Sequence, residues 1–436
     1  MTYSRICIIG AGSSGIAAAK ALHERGINFD CFEKGNRVGG NWVFKNSNGM
    51  SSSYKRLYIN TSRERMQYSD FPMPANYPDF PHHSQIADYF DAYVDHFGFR
   101  DKIIFNTGVT KAERMPDGRW KILLDNGEAR EYDALMVANG HHWNPRWPEP
   151  EFPGNFSGTV MHAHYYEDHK PFEDKNVVVL GMGNSAMDIA VESSEVANKT
   201  FLAARRGAHI IPKYFFGKPL DQIGISPWIP FKIKFLSFKW MMKLMVGDME
   251  RYGLPKPDHE IGEAHPTISG RILDRITHGA VIPKPNLKRL LESSVEFEDG
   301  SIEPVDVIVY CTGYKVTFPF FDENFIAAPD NYLPLFRRVF KPDIPNIFFI
   351  GLLQPLGAVM PLAEAQSKWV AKYLLGEYKL PSRTEMEADI RREQSAMEKR
   401  YVKSKRHTMQ VDFDTYLAAM KKEMKRGNVV VSRQAR

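Results

Sequence analysis

The chain opens with an apolar run, "RICIIG", that meets a glycine turn and passes into an alanine-rich stretch with helical spacing of its apolar positions. A second apolar run, "INFDCFE", ends at Glu33. This rhythm predicts a strand over 4–10, a helix over 14–25 and a strand closing at Glu33, a βαβ unit. The rhythm returns further on, with a strand predicted over 176–181, a helix over 184–197 and the strand "TFLAARR" ending at Arg206. Between the two lie a Pro- and Tyr-rich segment, "YSDFPMPANYPDFPHH", a helix near 84–97, and a strand pair around 103–125 with "PDG" and "DNG" turns. Two later runs, "YDALMVANGHH" and "VDVIVYCTGY", are each a buried strand entering a small-residue turn. The first is expected to close the opening segment of the first domain, and the second to be the chain returning to that domain. The fold expected is α/β with two Rossmann-like domains, the second inserted into the first: 1–171, then 172–290, then 291–436 with a basic helical tail.

The glycines say what such units hold. Gly10, Gly12 and Gly15 fit GxGxxG, a spacing that allows a tight turn, close approach of a pyrophosphate and packing of helix on strand. The pyrophosphate then meets free N–H groups at the helix N-terminus. Glu33, 23 residues after Gly10, stands where a carboxylate accepts from ribose hydroxyls. In the second unit Gly181, Gly183 and Ala186 fit GxGxxA, with Asn184 and Ser185 opening the helix, and Arg205 or Arg206 takes the place of Glu33. Guanidinium groups pair with a 2′-phosphate that a carboxylate would repel. Two dinucleotides of different kind are expected, FAD in the first unit and NADPH in the second. Such a pair is useful because a flavin accepts hydride from NADPH and passes electrons singly or to O₂.

Charge and cysteine use narrow the setting. Residues 391–436 carry 13 Lys and Arg against 5 Asp and Glu, so the formal +5 of the chain is concentrated there, in stretches such as "MEKRYVKSKRH". A solvated helix face is the expectation, with no nucleic-acid partner. Three cysteines without a CxxC pair argue for a reducing, cytoplasmic setting and against a dithiol centre. With the first strand expected about four residues after Met1, no leader peptide is expected. The apolar window "IPFKIKFLSFKWMMKLMV" is broken by four lysines and is not expected to span a bilayer, which leaves peripheral contact open.

Between the two units, "FSGTVMHAHYY" places Phe156, Gly158, His162 and Tyr166 in the pattern FxGxxxHxxx(Y/F). This resembles the identifying motif of flavin-containing monooxygenases. "EKGNRVGGNW", "NTSRERMQYSDFPMPANYPDFP", "RITHGAVIPKPNL" and "GLLQPLGAVMPLAEAQSKW" extend the resemblance, leaving only the C-terminal ~50 residues outside it. It implies an enzyme in which NADPH reduces FAD and O₂ is held as a C4a-hydroperoxide that oxygenates soft nitrogen or sulfur nucleophiles of small molecules. By resemblance Asn60 lies beside the flavin and NADP⁺ and donates to the peroxide. Arg37, Gly40, Trp42 and Gln354 fall on the flavin side, and His162 positions the linker between domains. His164 and His169 stand near His162, but no Cys or carboxylate at ligand spacing accompanies them, so no metal is expected. Microsomal members end in a hydrophobic anchor; "NVVVSRQAR" looks like a soluble, bacterial member, with a homodimer possible. Two rival activities share these parts. Baeyer–Villiger oxidation of ketones usually goes with Trp followed by Pro or Asp at the motif's end, where this chain has Tyr166 and Glu167. An NADPH oxidase or diaphorase releasing H₂O₂ would not need Asn60. Substrate choice is expected in "HIIPKYFFGKPLDQIGISPWIPFKIKFLSFKWMM".

Overall fold

In the computed structural model, which describes residues 3–223, 231–400 and 407–429, the first apolar run forms β1 (Ile6–Ile9), buried at every position. A strand with no exposed face belongs in the middle of a covered sheet. β1 pairs in parallel with β2 (Phe29–Phe32) on one side and with the strand Ala134–Val137 on the other. Its side chains alternate between two cores: Ile6 and Ile8 join Ile16, Tyr93 and Trp369, while Cys7 and Ile9 join Trp120 and Phe349. The crossover from β1 to β2 is α1 (Ser13–His23), whose alanines, Ile16 and Leu22 are buried, and the helix Met360–Leu374 packs beside it. Lys20 is buried in α1 because Asp70 and Glu24 both neutralise its ammonium.

The chain forms two compact units, one of Met1–Ser53, Leu57–Asn144 and Lys315–Arg436, the other of Tyr54–Arg56 and Pro145–Tyr314. The first contains a six-stranded sheet in the order Phe340–Lys341, Ile344–Phe349, Ala134–Val137, β1, β2, Ile103–Ile104, antiparallel only in the edge pair of Phe340–Lys341 with Ile344–Phe349. A three-stranded antiparallel meander, Val109–Arg114, Trp120–Leu124 and Ala129–Tyr132, leads into Ala134–Val137.

In the second unit, β3 (Asn176–Leu180), α2 (Asn184–Ser193) and β4 (Lys199–Ala204) form the second βαβ element. The sheet runs Ile282–Pro285, β4, β3, Val307–Tyr310, Thr159–His162, all parallel. Again a three-stranded meander, Leu287–Leu291, Ser294–Phe297 and Ile302–Pro304, leads into the strand that pairs with the first of the unit. The two units therefore share one plan.

That shared plan corrects one expectation. "VDVIVYCTGY" is not a return to the first domain: Val307–Tyr310 registers with Val177–Leu180 of β3, as Ala134–Val137 does with β1. The likeness of the two runs reflects equal roles in separate sheets. Residues 145–171 and 291–314, expected with the first domain, fall in the second unit because Thr159–His162 and Val307–Tyr310 are strands of its sheet. The basic tail is partly core: the helix Phe413–Arg426 buries Phe413, Tyr416 and Met420. "MEKRYVKSKRH" and "NVVVSRQAR" lie largely outside the described residues, as do residues 224–230 of the segment expected to choose substrate. The rest of that segment forms the strand Ile210–Ile211, a hairpin of Tyr214–Phe215 with Lys218–Pro219, and the helix Phe231–Met245.

Candidate functional site

The first glycine turn is shaped by its neighbours. Gly10 has φ +95°, and a β-carbon on it would stand 2.8 Å from the Ala138 carbonyl oxygen, just beyond Ala134–Val137. Gly15 is closed to any side chain, since a β-carbon there would lie 1.7 Å from the Gly10 oxygen. Gly12 faces Gly40, whose own β-carbon would lie 3.0 Å from the Gly12 Cα. The first turn of α1 carries no acid, so its free N–H groups present an uncompensated positive end. Glu33 follows β2 and is 4% exposed. Its Oε2 accepts from Ala11 N at 2.8 Å and its Oε1 from Gly35 N at 2.7 Å and from Asn48 Nδ2 at 3.3 Å. The carboxylate thus braces the turn, and its remaining lone pairs are what a ribose could use.

The other residues expected on the flavin side divide. Trp42 ends the short helix Gly40–Trp42 and packs against the core that holds α1. Gln354 lies in the strand Gln354–Leu356, paired with Gln410–Asp412. Arg37 points to the helix His83–Phe97, where Asp91 and Asp88 pair with it; both its partners are protein carboxylates. Asn60 is half-buried in the bend after the Tyr58–His82 bridge, and among the described residues its side chain bonds no local backbone.

The second turn repeats the first. Gly181 has φ +141°, and a β-carbon would meet the Cys311 carbonyl oxygen at 2.7 Å, just beyond Val307–Tyr310 as Ala138 is beyond its own strand. Gly183 is the N-cap of α2, whose first turn is also free of acid. Asn184 is structural here, its Oδ1 accepting from Ile268 N at 2.8 Å, while Ser185 is half-buried in the first turn of α2. Arg205 and Arg206 follow β4 and are exposed. Arg206 pairs with Asp258 at 3.1 Å, an exposed pair worth little that an incoming phosphate can replace.

The motif residues collect in the second unit. Phe156 packs against the core under the sheet, and Gly158 is pressed on the Asp306 oxygen, 2.4 Å from where a β-carbon would be. His162 ends Thr159–His162, 1% exposed, with its Nδ1 accepting from His164 N at 3.0 Å. Burial lowers its pKa to about 4, so the ring is neutral. Tyr166 reaches α2, where its hydroxyl donates to Glu192 Oε2 at 2.8 Å. Three residues of this cluster are not among those the sequence singles out: Glu192, Asp188 and Tyr54, whose hydroxyl donates to Asp188 Oδ2 at 2.5 Å. The two acids had a signal in their i, i+4 spacing on α2, and Tyr54 had none.

Two turns of one design, one finished by a carboxylate and the other by guanidiniums, match a known pattern. The family model of flavin-binding monooxygenase-like proteins matches residues 3–431. The chain belongs to that family. The match runs through almost all of the C-terminal 50 residues that the motifs alone had left outside. The chain is 38% identical over 434 residues to human flavin-containing monooxygenase 5, covering 95% of this chain and 81% of that protein. Among solved structures it resembles S-allyl-L-cysteine S-oxygenase from Allium sativum, with a TM-score of 0.73 at 26% identity, covering 98% of this chain and 90% of that one. Cyclohexanone monooxygenase shares the fold, with a TM-score of 0.71 at 17% identity and coverage of 98% and 99%. This monooxygenase-family enzyme uses FAD and NADPH with O₂ and a small-molecule substrate. The residues present fit both groups: side-chain-free turns at Gly10, Gly15 and Gly181, and helix N-termini without acids. Among the described residues no helix is long and apolar enough to cross a membrane.

Proposed function

We propose that the first turn holds FAD and the second NADPH, and that the enzyme oxygenates soft nitrogen or sulfur nucleophiles of small molecules. The observation that supports this reading is the inversion of charge after two strands of equal role, Glu33 after β2 and Arg205 with Arg206 after β4. Glu33 accepts from the adenosine ribose of FAD, and the two arginines bind the 2′-phosphate of NADPH. The N-termini of α1 and α2 hold the two pyrophosphates, with the first glycine of each turn giving the backbone room to bend under them. Bound flavin supplies the chemistry, taking hydride and activating O₂ as its C4a-hydroperoxide. Asn60 donates its amide to the oxygen that must be kept from leaving, consistent with an amide not consumed by local backbone.

The Allium relative is an S-oxygenase, which accords with a sulfur nucleophile. Likeness to cyclohexanone monooxygenase at 17% identity bears on fold alone. Stopped-flow spectroscopy tests the reading: the protein is reduced with NADPH, mixed with O₂, and followed for a long-lived near-ultraviolet adduct that decays faster when an amine or thioether is added. Decay hastened only by a ketone would assign Baeyer–Villiger oxidation, and prompt H₂O₂ release without an adduct would assign an oxidase.

A further inference from the structure

Three acids lie on one face of α2 and just beyond it at i, i+4 and i+7: Asp188, Glu192 and Glu195. Each is met by a donor from the same unit. Tyr54 reaches Asp188 at 2.5 Å and Tyr166 reaches Glu192 at 2.8 Å. Arg56 and Arg271 reach Glu195 at 2.6 and 2.5 Å. The Tyr54 and Tyr166 rings lie 5.6 Å apart, and Tyr166 stacks on Phe172. Tyr54, Tyr166 and Glu192 are 4%, 2% and 4% exposed.

Phenylalanine and leucine would fill this volume with nothing to desolvate, and buried polar pairs seldom add net stability over such a core. What a hydrogen bond adds is direction. It fixes the rotation and height of a helix that purely apolar contact lets slide. Direction matters in α2 because its acid-free first turn offers N–H groups to an anion, and Asp188 lies only about 6 Å along the axis from Asn184. Burial raises the pKa of Asp188 and takes that of Glu192 to about 7, so Glu192 is partly protonated at neutral pH and adds less negative charge behind that anion site.

We propose that Tyr54 and the motif's terminal Tyr166 are positioning residues for the second coenzyme, acting through Asp188 and Glu192 to aim the N-terminal amides of α2 at its pyrophosphate. This rests on the reading that the second turn binds NADPH. In this chain the last position of the motif then has a physical task, carried by the hydroxyl of Tyr166.

The test is calorimetric titration of NADP⁺ into the oxidised FAD-loaded enzyme, with thermal unfolding in parallel. Tyr166→Phe and Tyr54→Phe should each raise the NADP⁺ Kd roughly tenfold, the worth of one hydrogen bond, without loss of FAD. The pair Tyr166→Phe/Glu192→Leu removes both polar groups, so its unfolding temperature should return towards wild type while the Kd stays raised. A wild-type Kd in that pair, or single variants that melt earlier yet bind NADP⁺ within twofold of wild type, overturns the proposal, because the bonds would then serve stability alone. If replacing Arg205 and Arg206 with Gln leaves the wild-type Kd unchanged, the assignment of the coenzyme to this turn fails, and the positioning role fails with it.

Discussion

Glu33→Gln keeps the volume of the side chain and removes its charge. The Glu33 carboxylate accepts from Ala11 N at 2.8 Å and Gly35 N at 2.7 Å in a site 4% exposed. A glutamine has one acceptor oxygen and one donor nitrogen, so whichever way it turns, one of those N–H groups faces another donor. One charge-assisted bond is lost and a buried N–H is stranded, a cost of about 2–3 kcal/mol to the first unit before any nucleotide binds. At about 2–4 °C per kcal/mol for a domain of this size, its unfolding temperature should fall by roughly 5–10 °C. The ribose then meets a neutral acceptor, and a loss of about 1.4 kcal/mol makes FAD roughly tenfold weaker. Calorimetric unfolding of the FAD-free protein measures the first effect, and the flavin-to-protein ratio after serial dilution measures the second. A variant that melts with wild type in both forms and stays fully yellow would show that Glu33 neither braces the turn nor reads a ribose.

Changing Arg205 and Arg206 together to Gln should raise the NADPH concentration needed to reduce the flavin on the order of 100-fold while leaving NADH nearly unaffected, and added salt should erode the wild-type preference; a double variant with its preference intact refutes the 2′-phosphate reading. Asn60→Ala should leave flavin reduction fast and divert O₂ to H₂O₂, at a cost of about 3 kcal/mol to the held oxygen; unchanged coupling of NADPH to product counts against the role. Glu192, facing Tyr166, Arg56, Asp188, Glu195 and His169, has its pKa raised by burial from 4.5 to about 7. Its proton is held more tightly folded than unfolded, so stability is full below pH 4.5 and falls as pH rises to about 7, by on the order of 3 kcal/mol. Glu192→Gln should therefore raise the unfolding temperature at pH 8 and change little at pH 4, and a parallel offset at both pH values would exclude this titration.

Both βαβ elements were legible because strand period, glycine spacing and helix composition are all local signals. Helix ends were not: α1 stops at His23 rather than 25 and α2 at Ser193 rather than 197, since a turn, not a change of composition, ends each. Val307–Tyr310 was recognised as a strand but given to the wrong sheet, because an all-apolar run says that it is buried and nothing about its partner. The acids that pair with Arg37, Asp88 and Asp91, lie some 50 residues on, so its partners in the fold were not legible from its own neighbourhood. Asp188 and Glu192 were not singled out in the sequence, since the phenols that meet them come from Tyr54 and Tyr166, well outside α2 in sequence.

The interleaving of the units has a consequence for synthesis. All five strands of the second sheet lie between Thr159 and Tyr310, whereas the first sheet is completed only by Phe340–Lys341 and Ile344–Phe349. A chain emerging from the ribosome holds every strand of the inserted sheet while Ala134–Val137, buried throughout in the finished fold, still presents an open apolar edge. For the time needed to translate some 200 further residues, at about 5–20 residues per second, that edge is open to mispairing or to chaperones. Nascent-chain vulnerability is thus concentrated in the unit that carries the first glycine turn, although that unit is begun first.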